Sequence, residues 1–437
     1  MAQWKDLPYE IQELILDHLF RLSSPTSSNN KGGVVGRPFQ RTTPDCIGYL
    51  TTCKTWKQIL EPRIYQHLFL TSSTLSILRR LNCHQQNFVQ YIWLAIELQG
   101  YDCPDCVKLD LDNLGDSARR QVDAALVDTT LWQLFYLLRG WSREGFAKVD
   151  NLTLEISVFS KSDMEHVFWN HLHFDSSPFT PAGELEIGRP RLNDSGHGWQ
   201  NGELKDPHKT HSIMVLTQST SSIVGDLELQ PVPAVKKFII RRQTRRQLPV
   251  GTLEAILEKL PNLNSIVFEP WRSFTCFPET ETYPNDTGNR FILPSLPNTL
   301  KHLILFEDFN EDYCRILATD PETAEWVCRP ELHRTPSVLI AQALAEMFGV
   351  EKLAASYLID AHDFFTCAMD YTSTWHTLSS LYLTSRQLVP ETDSGRIDGI
   401  LALAGQVALR MPALDTMVIW YGAKGVASEF RYEVTDG

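Results

Sequence analysis

The 437 residues carry 40 lysines and arginines against 53 aspartates and glutamates, a formal charge of −13, with 43% hydrophobic and 21% charged residues. This balance is that of a globular chain able to bury a large core, as one elongated array or as two or three units; it excludes a disordered protein and a general nucleic-acid binder, which needs a basic surface. The opening Met1-Ala2-Gln3-Trp4-Lys5-Asp6 lacks the pattern of a secretory leader, no stretch nears the roughly 18 apolar residues of a membrane span, and nine scattered cysteines make a poor disulfide framework, so the expectation is a protein of cytoplasm and/or nucleus with no membrane partner.

The first predicted element is a helix from Leu7 to Leu22. Asp6 stands at its N-cap position and Pro8 in its first turn, where a missing N–H costs nothing. At 100° per residue Leu7, Ile11, Leu14, Ile15, Leu19 and Leu22 share one broad apolar face, and Tyr9, Leu16 and Phe20 form a second stripe nearly opposite. One face suffices for a core; a second is expected to meet another polypeptide. A Ser/Asn/Gly-rich loop follows over about 23–43. A second helix is expected from about Asp45 to Leu60, ended by Pro62, and the run Ile64 to Leu70 reads as extended.

The Leu-Pro start with its following apolar positions, together with Cys53-Lys54-x-Trp56, resembles the F-box, a small helical module that docks on the Skp-type adaptor of cullin–RING ubiquitin ligases. The resemblance covers about residues 1–65. It implies adaptor contact through Leu7, Pro8, Ile11, Ile15, Leu16 and Phe20, with Trp56 in the core of the module. The loop between the two helices is longer than the usual connection of that family.

Further along, Ile92-x-Leu94-x-Ile96-x-Leu98 alternates as a strand does. Cys103-Pro104-Asp105-Cys106 has the spacing of a zinc-binding or redox pair, but Cys83 and His84 stand at no common zinc-finger distance from it, so a turn with two thiols is expected. Asp110-Leu111-Asp112 reads as an exposed turn, and Thr130 to Gly140 as a helix. His166, His171 and His173 follow the capping box Ser162-x-x-Glu165 and share no helical face suited to a metal. The stretch from about 176 to 212, rich in Pro, Gly, His and Asp, is expected to be a flexible insertion.

From Phe146 onward, a leucine-rich-repeat-like frame recurs, apolar residues at positions 1, 4, 7 and 9. It is met by Phe146/Val149/Leu152/Leu154, Val232/Val235/Phe238/Ile240, Leu260/Leu263/Ile266/Phe268, Trp375/Leu378/Leu381/Leu383 and Met411/Leu414/Met417/Ile419. Leu296/Leu300/Leu303/Leu305 fits with one residue inserted, and Val350/Leu353/Ala355 fits loosely. The frame alone is common in a chain this apolar. Two further features carry it: proline directly follows the first position at Pro233, Pro261, Pro297 and Pro412, and several strands follow a helix. Those helices are expected from Thr252 as N-cap to Leu260, from Pro336 to Phe348, and over Ile397–Met411. The basic run Lys236, Lys237, Arg241, Arg242, Arg245, Arg246 reads as a solvated strand edge and loop, and Phe430 to Val434 as a last strand. Tyr91 to Leu98 and Leu152 to Ser157 are also similar to stretches of a fungal F-box-type family of undefined function.

The expected fold class is thus α/β: an N-terminal helical F-box-like module (1–65), then an irregular leucine-rich-repeat-like α/β solenoid (66–437). No phosphate-binding glycine loop, His-Glu-x-x-His or Gly-x-Ser-x-Gly occurs, so neither an enzyme nor a cofactor or metal is expected. Two readings stand. The chain is a substrate-recognition subunit of an SCF-type (cullin–RING) ubiquitin ligase, holding a Skp-type adaptor and an unknown protein substrate; alternatively it is a repeat-protein scaffold whose F-box-like helices only cap the array.

Overall fold

A computed structural model of the chain describes residues 4, 7–22, 51–101, 117–141, 151–164, 193, 195–197, 199–201, 203–204, 228–242, 246–271, 296–307, 336–390, 392–423 and 425–434. Two helices come first, α1 (Tyr9–Leu22) and α2 (Lys54–Gln66). The chain then enters a ten-stranded sheet through β1 (His67–Thr71), β2 (Tyr91–Glu97) and β3 (Leu152–Phe159), and continues with β6 (Val235–Ile240), β7 (Ser265–Phe268), β8 (His302–Phe306), β9 (Lys352–Ser356), β10 (Ser380–Thr384), β11 (Thr416–Ala423) and β12 (Val426–Glu433). Each strand lies beside its predecessor in the sheet, always parallel, until the hairpin β11–β12 closes the far edge antiparallel. Two short strands, β4 (Trp199–Gln200) and β5 (Glu203–Leu204), pair apart from it. Helices α3 (Cys83–Gln86), α4 (Ser117–Leu138), α5 (Val250–Glu258), α6 (Val338–Ala345), α7 (Ala361–Met369) and α8 (Ser394–Ala408) lie between strands in the chain.

Alternation decides which face is covered. Strand side chains point to opposite faces with period two, and one set is apolar throughout: Ile92, Leu154, Phe238, Ile266, Leu303, Leu353, Leu381 and Met417 lie in one register row and are buried. Helices α6, α7 and α8 pack side by side, and their apolar residues join this row in a single core. Their starts are capped by Ser337, Asp360 and Asp393, whose side chains accept from backbone amides at 3.3, 2.9 and 3.1 Å.

All seven frames fall on strands β3 and β6 to β11, and the prolines have a geometric reason. In Val232-Pro233-Ala234-Val235, Leu260-Pro261-Asn262-Leu263 and Met411-Pro412-Ala413-Leu414 the fourth amide donates to the first carbonyl at 3.3, 3.1 and 3.0 Å. Proline's fixed φ suits the second place of such a turn. At Pro297 the Leu300 amide instead reaches the proline's own carbonyl at 3.0 Å; the turn starts one residue later, which is the insertion in that frame. Turn side chains also tie each unit to the one before it: Asn262 donates to the Pro233 carbonyl at 3.0 Å, Thr299 to Leu263 at 2.6 Å and Thr377 to Val350 at 3.0 Å.

Several expectations need correction. Pro62 lies inside α2, which runs on to Gln66, so the strand starts only at His67; the lost hydrogen bond is offset by Ile59, Leu60 and Ile64 packing on Leu16. Thr252 is a buried residue inside α5, which begins at Val250 after Pro249. Helix α4 starts well before Thr130, at Ser117. Lys236 and Lys237 lie on β6, which has β3 and β7 on its two sides and so is not an edge. Within the expected insertion at 176–212, Trp199 and His197 are buried and β4 pairs with β5, so part of it is ordered. Phe146, Val149, the loop at about 23–43, Asp45 to Leu50, Cys103, Cys106, Asp110 to Asp112, His166, His171 and His173 lie outside the described residues.

Candidate functional site

Two surfaces carry groups that the core does not use. The first is on α1. Leu16, wholly buried, meets Ile59 and Leu60 of α2, with Trp4, Trp56 and Ile64 packed around them. The Trp4 and Trp56 rings lie 5.3 Å apart, and Arg63 donates to Glu13 at 3.1 Å. Gln12 is buried and turns its amide back to the Leu7 carbonyl at 2.8 Å. The opposite side is bare: Leu14 is 64% exposed, Ile11 41% and Ile15 38%; Tyr9, two turns before Leu16 on the same stripe, is 54% exposed.

Of the two stripes of α1, the one through Leu16 is used inside the molecule. Leu16 meets Ile59 and Leu60 of α2 with Trp56 and Ile64 beside them, and Ile11, Leu14 and Ile15 of the broad apolar face stay exposed. Of the residues that the F-box resemblance assigns to adaptor contact, Pro8, Ile11 and Ile15 are exposed and Leu7 is half-buried. Leu16 is inside the helix pair, and the Phe20 side chain lies outside the described residues. Glu61 of α2, itself buried, accepts from Gln85 at 2.9 Å, and Gln85 also donates to Tyr65 at 3.2 Å. This polar link ties α2 to the connection between β1 and β2.

The second surface is the sheet face opposite the core. Two register rows cross it. The row at the strand starts reads Tyr91, Thr153, Lys237, Ser265, His302, Lys352, Ser380 and Thr416. Two residues further along the strands it reads Trp93, Glu155, Ile239, Val267, Ile304, Ala354, Tyr382 and Val418. At the strand ends Phe306, Tyr357 and Trp420 make edge-to-face pairs, Tyr357 with Phe306 at 5.6 Å and with Trp420 at 5.3 Å. The Tyr357 hydroxyl donates to the Gly422 carbonyl at 3.0 Å, and its φ of 65° is in the left-handed region that non-glycine residues rarely adopt.

This face divides in two. Over β2, β3 and β6, Trp93, Glu155, Ser157 and Ile239 are buried. Glu155 is fully buried yet charged by type, and Arg241 grips it with two hydrogen bonds, to Oε1 at 2.7 Å and to Oε2 at 2.9 Å, while the Tyr91 hydroxyl also donates to Oε2. The Trp93 indole donates to Ser157 at 2.8 Å, and the Arg241 guanidinium lies 5.3 Å from that ring. Burial pushes the Glu155 carboxyl above its ordinary range although Arg241 and Tyr91 pull it down, and burial with the neighbouring Glu155 raises the Tyr91 hydroxyl. From β7 to β10, by contrast, Val267, Ile304, Ala354 and Tyr382 are only partly buried. This accessible half is flanked by the cationic groups Lys237 and Lys352, with the His302 imidazole in the row between them, and Lys352 lies 5.3 Å from the Tyr382 ring. Glu351 nearby is taken by Lys301 at 2.6 Å and approaches His302 at 3.6 Å.

A third polar cluster joins two units of the sheet. Asp360 accepts from the Ser385 hydroxyl at 2.8 Å and from the Arg386 amide at 2.8 Å besides capping α7. Each of its oxygens is thus occupied by structure. Among the described residues no group of three His, Cys, Asp or Glu is placed to hold a metal ion, and no helix is long and apolar enough to cross a membrane.

Sequence reasoning missed the Glu155 clamp, although an acid in the apolar run Leu152-Thr153-Leu154-Glu155-Ile156 was a signal for a buried, paired charge. It also missed the cationic row, which is visible only once register aligns residues from separate strands.

Among curated proteins none matches the chain. Residues 295–437, which hold β8 to β12 and α6 to α8, match a family described as a family of unknown function (DUF6546).

Proposed function

We propose that the chain is a non-catalytic substrate-recognition subunit of an SCF-type ubiquitin ligase, with α1 and α2 as an F-box-like module and the sheet as an irregular leucine-rich-repeat-like solenoid. The observation that carries this reading is the bare apolar face of α1. Ile11, Leu14 and Ile15, three large apolar side chains within five residues, stay accessible on a helix that is already anchored through Leu16. Such a patch on a short amphipathic helix is suited to burial against another polypeptide. The solenoid reading rests on the strictly sequential parallel strand order, in which each unit covers its apolar row with its neighbours. The subunit would act by positioning a substrate near the ligase, with no acid, base or nucleophile of its own.

The test is capture of a purified Skp-type adaptor by the full chain at micromolar concentration. Capture should be lost in the double variant Ile11→Asp, Leu14→Asp, whose substituted positions are solvent-facing, while its thermal unfolding is unchanged. No capture by the parent chain refutes the proposal.

A second reading has its own observation. The Glu61–Gln85–Tyr65 link fastens α2 to the first strands, as a cap on the array would require. In that scaffold reading, removal of residues 1–65 unfolds β1 and β2, and no adaptor is captured.

A further inference from the structure

The accessible half of the sheet's open face, with Lys237 at its β6 border, has two parallel stripes of different chemistry. One holds Lys237, His302 and Lys352 at the strand starts; the other, two residues along, holds Val267, Ile304 and Tyr382. The Lys237 and Lys352 ammonium groups have no carboxylate partner among the described residues, whereas His302 between them approaches one oxygen of Glu351 at 3.6 Å while Lys301 holds the other at 2.6 Å. In a molecule whose formal charge is −13, two lysines without a carboxylate partner beside an apolar stripe are a local reversal of sign. It lies where the face changes from buried to partly open.

We infer that this face binds an extended acidic peptide segment in which acidic and apolar side chains alternate. The inference rests on the substrate-recognition reading and names the class of segment the sheet would choose. Geometry sets the repeat. Lys237 and Lys352 are separated by three strand spacings, about 14 Å, and alternate side chains of an extended chain recur every ~6.8 Å. A peptide crossing the strands between the two stripes turns one set of alternate side chains to the cations and the other to the apolar row. Acidic groups four residues apart then reach Lys237 and Lys352, with a third acidic group between them, near His302. The apolar set lies over Val267, Ile304 and Tyr382. Charge on the row sets the direction of recognition, and the apolar row supplies water exclusion.

The probe is a fluorescein-labelled decapeptide alternating aspartate and leucine, titrated into the full chain and read by anisotropy. The expected result is saturable binding that weakens with added salt and falls by about tenfold or more in Lys237→Glu, Lys352→Glu. Lys→Gln at both positions should give an intermediate loss, with unchanged circular dichroism for both variants. A decapeptide alternating lysine and leucine should not bind, and one alternating aspartate and serine should bind more weakly than the aspartate–leucine probe. No saturable binding, equal binding by the charge-reversed variant, or equal binding of the lysine–leucine peptide overturns the inference. Tighter binding of an oligothymidylate than of the aspartate–leucine peptide overturns it in favour of a nucleic-acid surface. Adaptor capture through α1 is scored separately with the same variants, so a failure of the peptide and a failure of the ligase reading are distinguishable.

Discussion

Glu155 has a side chain with no exposed surface in the middle of a parallel sheet, on the face away from the hydrophobic core. A carboxylate so placed is tolerated only if its lone pairs are filled, and Arg241 and Tyr91 fill them. Removing the cation leaves a buried acid alone, so Arg241→Ala should destabilise the fold by about 3 kcal/mol in urea unfolding at neutral pH. The sign of the pH dependence follows from burial, the largest cause acting on Glu155, which raises its folded-state value above the ordinary 4.5. Folding then favours the protonated form. That contribution is whole below about 4.5 and is lost as pH rises through the folded value. In Glu155→Gln the loss is absent, so the stability of the variant relative to the parent should improve from about pH 4.5 to the folded value and level off above it. A flat or falling difference between the two unfolding curves would show that the folded-state value is not raised. The residue-level arrangement was only half legible in the sequence. The acid interrupting an apolar run was visible, whereas its partner lies 86 positions away and is brought beside it by the β3–β6 pairing.

At the scale of elements, the strands were the readable part and the helix boundaries less so. Period-two apolarity and the proline turn are local properties, and both survived into β6, β7 and β11 with their registers intact. Pro62 and Thr252 misled for a physical reason: tertiary packing on Leu16 carries α2 past its proline, and burial puts a threonine where a cap would otherwise be expected. The periodicity of α1 showed two apolar stripes without showing which one the chain would use, because that choice depends on what α2 presents. The assignment has a direct test. Leu16→Ala should cost about 2–5 kcal/mol in the local stability of the α1–α2 pair, as amide hydrogen exchange of α2 would show, whereas Leu14→Ala should stay within roughly 0.5 kcal/mol. Equal effects at the two positions would mean that α1 sits on α2 in another orientation. At the opposite edge, β12 is blunted by charge: Arg431 bonds Glu429 at 2.7 Å and Glu433 at 2.9 Å along its open face. Alternating charges of this kind discourage pairing with a further strand.

For the molecule as a whole, sequential strand order has a mechanical consequence. Every strand of the large sheet from β1 to β12 is hydrogen-bonded only to strands next to it in that order, and the carbonyl-to-amide contacts at the strand starts, from Asn264 to Lys301 at 2.8 Å and from Ser379 to Asp415 at 2.9 Å, repeat the same neighbour-to-neighbour logic. Stability in such an arrangement is a sum of unit and interface contributions, so damage spreads by adjacency. Leu381 is wholly buried in β10, in register with Leu353 of β9 and Met417 of β11. Leu381→Ala removes contacts to both and should cost about 2–5 kcal/mol. The loss should not be shared evenly. Amide hydrogen exchange should accelerate in β9, β10 and β11 and in the adjoining α7 and α8, while β2 and β3 keep the protection of the parent chain. Uniform acceleration from β2 to β11 would mean instead that the sheet and its helices open as one cooperative body, and that the sequential topology does not partition the stability of the fold.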